Sequence, residues 1–255
     1  MRILVTFALE NEFAPWRAMR DFRPENMGNV ETYGAKVDGA DVQVVVTGVG
    51  LRLAALRTRD VLKLNGDSVE FVVSSGSAGA VRRSYVIGQV LAAREVKAEA
   101  PDAGSGTIGC SGALVSFAES CGATIVNQFY TSERAIGTQE EKQYIGEFAD
   151  AVEMESFGVL SAAAESGVPG VAIRGVSDLA DENLPLDMNE VFTDEGKVSV
   201  PRVLGQVARH PGALPGLMKL GQQSKTAAEA LARFLDRYVT TVAERSAALN
   251  PRGAA

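Results

Sequence analysis

Two runs of this sequence finish apolar strands on carboxylates: Ala151-Val152-Glu153-Met154-Glu155-Ser156, and Ala172-Ile173-Arg174-Gly175-Val176-Ser177-Asp178-Leu179-Ala180-Asp181. An acid at the end of a buried strand stands at the open end of a parallel sheet, where α/β proteins hold their ligands. Two such strands predict a site built from carboxylates. A carboxylic acid that burial keeps protonated can deliver a proton to a leaving group. Two further acids, Glu10 and Glu12, follow the apolar run at 2–8.

Those acids need elements that gather strand ends. Residues 2–8 predict a buried first strand, and 33–37 with 42–47 flank Asp38-Gly39-Ala40-Asp41, a turn signal for an antiparallel hairpin. After Thr47-Gly48-Val49-Gly50 the pattern is helical over 51–64 and stops at Asn65-Gly66. A strand over 69–74 runs into Ser75-Gly76-Ser77-Ala78-Gly79-Ala80. Residues 86–96 read as a strand, 98–112 as a loop rich in Gly, Ala and Ser, and 113–121 as a helix. A short strand over 123–126 and a charged helix over 138–149 follow, and 157–167 is a small-residue helix closed by glycine. Over 224–245, Leu231, Phe234, Leu235, Tyr238 and Val242 keep one apolar stripe. The alternation predicts a three-layer α/β/α sandwich around a mixed, mostly parallel central sheet. One domain is expected over 1–249, with 250–255 frayed.

Composition narrows the function. The net charge is −7 and the basic residues are scattered, so there is no nucleic-acid footprint and no obvious basic cradle for an anion. Cys110 and Cys121 form no CxxC pair and His210 is the lone histidine, which argues against a zinc site or a disulfide framework. The first apolar run is too short for a signal-peptide core, and no stretch approaches the roughly 20 apolar residues of a membrane span. The expected address is the cytoplasm, with no membrane partner.

Four segments then act together: Ala8-Leu9-Glu10-Asn11-Glu12, Thr47-Gly48-Val49-Gly50, Gly76-Ser77-Ala78-Gly79, and the two carboxylate strand ends. In order and spacing, over residues 1 to about 185, they resemble the nucleoside phosphorylase and nucleosidase superfamily. Within it the likeness is to the methylthioadenosine/S-adenosylhomocysteine nucleosidases. The resemblance implies a nucleoside phosphorylase-like fold, cleavage of the N-glycosidic bond of a purine nucleoside, no metal or organic cofactor, and a homodimer that completes the 5′ pocket.

Breaking that bond requires a proton on the leaving base. Asp178 is the candidate donor, the position to which the resemblance assigns protonation of N7, and Ser177 would orient it. The oxocarbenium-like ribose needs negative charge, which Glu155 suits while accepting bonds from the 2′ and 3′ hydroxyls, with Met154 beneath the sugar. Glu153 is the lesser candidate, because adjacent strand side chains point opposite ways. By resemblance Glu12 holds the attacking water, and Ser77 and Arg174 help to position it. Gly79, with Gly48, Gly50 and Gly76, would let the backbone approach the substrate. Phe129 or Tyr130 lies where the family places its base-binding phenylalanine. Each residue also has a plainer reading: Asp178 as a helix cap, Glu155 as a first-turn acid, Met154 as core, Glu12 as a solvated turn residue, Arg174 as a buried partner of Glu12 or Glu155, and the aromatic pair as packing at the sheet edge.

Members of this superfamily divide by the nucleophile, water or phosphate. Phosphorylases of the fold tend to carry an arginine three residues before the loop serine, where this chain has Ser74. Glu10 and Glu12 would repel phosphate. The expectation is therefore a nucleosidase, with a purine nucleoside phosphorylase and a non-catalytic nucleoside-binding or storage protein as competing readings. Segment 97–112 lacks the aromatics that usually enclose the 5′ group, and 201–255 has no counterpart in the smaller members. The 5′ substituent stays open among methylthio, homocysteine, futalosine-type and hopanoid-linked groups.

Overall fold

The computed structural model describes residues 1–27, 30–65, 68–100 and 104–249. The chain opens with β1 (Arg2–Phe7), α1 (Glu10–Met19), β2 (Arg23–Met27), β3 (Val30–Val37), β4 (Ala40–Val46), α2 (Leu51–Asn65) and β5 (Phe71–Ser74). Next come β6 (Ser77–Ala80), β7 (Val90–Ala100), β8 (Gly104–Gly109), α3 (Gly112–Ser120), β9 (Thr124–Thr131) and α4 (Gln139–Ile145). The remainder is β10 (Ala151–Glu153), α5 (Ser156–Glu165), β11 (Gly170–Asp178), α6 (Met188–Val191), α7 (Val200–Arg209) and α8 (Leu214–Leu249).

A period of two along the strands sets the layering. Ile3, Val5 and Phe7 of β1 enter one core, and Leu4 enters another on the opposite face. In β5, Val73 and Val72 divide in the same way. Helices α2 and α5 cover the Leu4 face through Ala54, Val61, Val159 and Ala163. The other face is covered by α1, α3 and α8, through Phe13, Trp16, Leu114, Leu231 and Tyr238. The result is the expected sandwich.

Among the described residues the strands lie in the order β2-β3-β4-β1-β5-β11-β6-β10-β9-β7-β8. Parallel pairings run through the centre, from β4 to β1, β5 and β11, and the β2–β3–β4 meander is antiparallel. β11 pairs with β5 at its start, then with both β6 and β7, so that the second half of the sheet closes on itself. β1, β5 and β11 therefore deliver their carboxyl ends to one edge, where β11 reaches Asp178.

Helix α1, which carries Glu12, is anchored at its far end. Arg20 Nε bonds Asp236 Oδ1 on α8 at 2.7 Å, and Trp16 Nε1 donates to the same oxygen at 3.2 Å. The Arg20 hydrogen bonds, more than the opposing burial, hold the Asp236 carboxyl below its usual range.

Several expected boundaries shift. The stretch read as a loop over 98–112 contains the end of β7 and all of β8, which pair antiparallel from Glu95–Gly109 to Ala100–Gly104. Small residues have weak strand preference, but the open edge of β7 supplies the hydrogen-bond partners. β7 starts at Val90 rather than at 86, β9 extends to Thr131, and α4 stops at Ile145, before Gly146. α8 begins ten residues earlier than its apolar stripe suggests. Pro215 does not prevent this, because it sits in the first turn, where its missing N–H costs no helical bond. The expected fraying of 250–255 lies outside the described residues. Among the described residues no helix is long and apolar enough to cross a membrane.

Candidate active site

At the amino end of α1 the main-chain N–H groups have no helical partner, and Glu12 reaches back to satisfy them. Its Oε2 accepts from Leu9 N at 3.1 Å and Ala8 N at 3.2 Å, while Oε1 accepts from Ser77 N across the sheet edge at 2.8 Å. Glu12 is buried rather than solvated. Gly76 makes the fit possible: its φ is +138°, and a Cβ there would come within 3.2 Å of both carboxylate oxygens. A carboxylate offers about four acceptor sites. Three are used here, leaving one for a water.

The two acids of the Glu-Met-Glu run have different tasks. Glu153 is wholly buried and bound to the equally buried Arg174, Nη2 to Oε2 at 2.6 Å. The same oxygen accepts from Glu155 N at 2.9 Å and Ser156 N at 2.7 Å, and Oε1 accepts from the Thr131 hydroxyl. Glu153 thus closes the amino end of α5 and neutralises Arg174. Of the two expected partners of Arg174, Glu155 is one, in a longer ion pair at 3.7 Å, while the tighter partner is Glu153. Arg174 also bonds Ser74 Oγ at 3.2 Å and stands behind the cavity wall, where it contacts the site through Glu153 and Glu155. Two unpaired carboxylates side by side in a dry interior are costly, and one cation between them relieves that.

Glu155 turns the other way. Its Oε1 accepts from Gly50 N at 3.0 Å and it lines the cavity with Met154. Burial first, then the charge of Glu153, pushes its carboxyl up to about 8, against the opposing pull of Arg174. The folded protein keeps this proton between the ordinary carboxylate value of 4.5 and about 8, where the unfolded chain has released it. Raising the pH through that window therefore removes stability, and outside the window this contribution is flat. Glu155→Gln is expected to flatten the fall in unfolding midpoint between pH 5 and 8. Parallel slopes for variant and wild type would refute this account.

Asp178 ends β11 with both oxygens occupied. Ser177 Oγ donates to Oδ2 at 3.0 Å, and the ammonium of Lys142, itself fully buried, donates to Oδ1 of the half-buried carboxyl group. Gly79 backs this carboxylate, since a Cβ there would stand 2.9 Å from Oδ1. Residues 179–182 form a turn, so Asp178 does not cap a helix. Local sequence pattern alone assigns Lys142 no role. Its signal is its place on α4, three residues before Ile145, where both side chains are buried.

These groups converge on a cavity of about 200 Å³ lined by Glu12, Ser77, Gly79, Met154, Glu155, Ser177 and Asp178. Phe129 and Tyr130 are not there. Phe129 is fully buried in the sheet core, and Tyr130 packs edge-on against Phe148 at 5.4 Å. In register Phe129 lies level with Ala151, short of the strand ends beyond which the cavity opens. The aromatic lining the cavity is Phe192, just after α6, a segment to which the sequence assigned nothing. Leu220 and Ser224 of α8 complete a wall, which gives the carboxyl-terminal helix a place in the site. No described residue of 97–112 reaches it.

The sequence model of the Phosphorylase superfamily matches residues 2–209. This chain belongs to the phosphorylase superfamily. Among solved structures it is similar to the 5′-methylthioadenosine/S-adenosylhomocysteine nucleosidase of Neisseria meningitidis in complex with methylthio-immucillin-A. The identity is 20%, over 94% of this chain and 99% of that one, with a TM-score of 0.71. It is similar to the futalosine hydrolase of Helicobacter pylori, at 20% identity over 94% and 98%, with a TM-score of 0.73. The S-adenosylhomocysteine nucleosidase of Streptococcus pyogenes with 5-methylthiotubericidin matches at 19% over 95% and 97%, again with a TM-score of 0.73. At these identities the likeness is one of fold. As in those structures, this superfamily member holds its fold across nearly the whole chain, including most of α8, which lies beyond the matched 2–209.

Proposed function

We propose that this member of the phosphorylase superfamily is a nucleosidase that hydrolyses the N-glycosidic bond of a 5′-substituted purine nucleoside, of the methylthioadenosine or S-adenosylhomocysteine type. Asp178 is the acid that protonates N7 of the departing base, oriented by Ser177. Glu155 takes the ribose 2′ and 3′ hydroxyls with Met154 beneath the sugar, and the growing positive charge on the ribose favours release of the Glu155 proton. Glu12 holds the water that adds to C1′.

One observation carries the choice of water over phosphate. The main-chain donors of Ala8, Leu9 and Ser77, which would otherwise suit an anion, are taken by the Glu12 carboxylate. Phosphate would have to displace a like charge from its own hydrogen bonds. The reading includes one domain over 1–249, a homodimer and a cytoplasmic address. A futalosine-type or hopanoid-linked 5′ group fits the same chemistry.

Purified protein mixed with methylthioadenosine, S-adenosylhomocysteine, adenosine and inosine, with and without phosphate, is the test. Chromatography should find free base and free sugar in amounts indifferent to phosphate. A sugar 1-phosphate formed only with phosphate would make the protein a phosphorylase instead.

A further inference from the structure

A lysine buried beside the candidate acid is unusual, because a fully buried ammonium is costly unless every donor is paired. Lys142 has no exposed side-chain surface, and its three donors are all used. One meets Asp178 Oδ1, and the others meet Leu179 O at 2.8 Å and Glu182 O at 3.1 Å. The turn it grips is fastened to the start of α4 a second time, by Gln139 N on Asn183 Oδ1 at 2.8 Å and Leu184 N on Gly137 O at 2.8 Å. Lys142 is therefore more than is needed to hold that turn. Its distinctive contact is the one with the carboxyl group facing the cavity.

Resting on the nucleosidase reading, we propose that Lys142 is a positioning residue that acts through Asp178. It keeps Oδ1 turned inward and receives the negative charge that appears on the carboxyl group as the proton leaves. In the step it assists, the C1′–N9 bond breaks and its electron pair goes to the purine. N7 takes the Asp178 proton, the water oxygen bonds to C1′, and the water's proton passes to Glu12. Return of that proton through solvent to Asp178 restores the site. A cation within hydrogen-bond reach of the newly formed carboxylate stabilises it more than the neutral acid, so its contribution is realised during bond breaking.

The role separates from a structural one by the leaving group. A 4-nitrophenyl glycoside of the same 5-substituted ribose releases a stable phenolate and needs no proton. Lys142→Met is expected to lower kcat/KM for the purine nucleoside by about 100-fold, within the range of general acid catalysis, and to change the nitrophenyl glycoside by less than about 3-fold. Both substrates are read on one preparation, so a partly unfolded variant lowers both and leaves their ratio unchanged. Lys142→Gln, which keeps a donor and removes the charge, should show the same selective loss. Equal losses on the two substrates, or a wild-type ratio in Lys142→Gln, would overturn the proposal. Asp178→Asn is the control on the underlying reading. If its purine loss is selective and that of Lys142→Met is not, the lysine proposal fails alone. If Asp178→Asn lowers both substrates equally, the acid assignment fails as well.

Discussion

Asp178→Asn is expected to lower kcat for purine release by about 1,000-fold, the middle of the range that a positioned acid contributes. The amide keeps the shape of the carboxyl group and can accept from Lys142 on its single oxygen while its NH₂ faces the Ser177 hydroxyl, but it has no acidic proton to give N7. Because the change touches only bond breaking, KM should move by less than about 3-fold, the pattern of a group whose contribution appears in the transition state. The cost to the fold falls on Lys142, whose ammonium exchanges a carboxyl partner for an amide while retaining Leu179 O and Glu182 O. A penalty of about 1–3 kcal/mol is in keeping with weakening one buried polar partner. Steady-state kinetics beside a thermal melt, with and without substrate, checks both parts. A folded variant at wild-type kcat would remove Asp178 from the chemistry.

Glu12→Gln should be as damaging to rate, again by about 1,000-fold, for a different reason. Glu12 accepts on both oxygens, from Ala8 and Leu9 on one and Ser77 on the other. A glutamine has a single oxygen, so whichever way it turns, its NH₂ faces a main-chain N–H. That juxtaposition leaves a donor unpaired at a buried turn and costs about 1–3 kcal/mol. The variant therefore loses the base for water and loosens the joint between α1 and the 76–77 turn. Loss of activity with an unchanged unfolding midpoint would show that the main-chain bonds are less important than their geometry suggests. Undiminished hydrolysis would exclude Glu12 as the base.

The residues that meet in the cavity were mostly legible along the chain, because strand ends are local features. An apolar run that stops on Ser177-Asp178, or on Glu153-Met154-Glu155, announces its own end. Parallel pairing then brings such ends together without further instruction. The stretch 98–112 was harder to read, since its strand is induced by the edge it covers rather than by its own residues. The aromatic failed for a related reason. Phe129 has the right chemistry, but its pairing with Ala151 seats it below the rim, while Phe192 comes from a short connection with no periodic signal.

The sequence by itself determined the fold class and placed Met154, Glu155, Ser177 and Asp178 at strand ends, because alternation and chain breaks are written within a few residues of each position, while Glu12 and Ser77 stood out only by family resemblance. Only the tertiary structure decided which acid of the Glu-Met-Glu run is neutralised by Arg174, 21 residues away, and which ammonium faces Asp178 across 36 residues. Charge partners in a buried site are chosen by where distant elements cross and by the cost of leaving any ion alone, and neither is a property of local pattern.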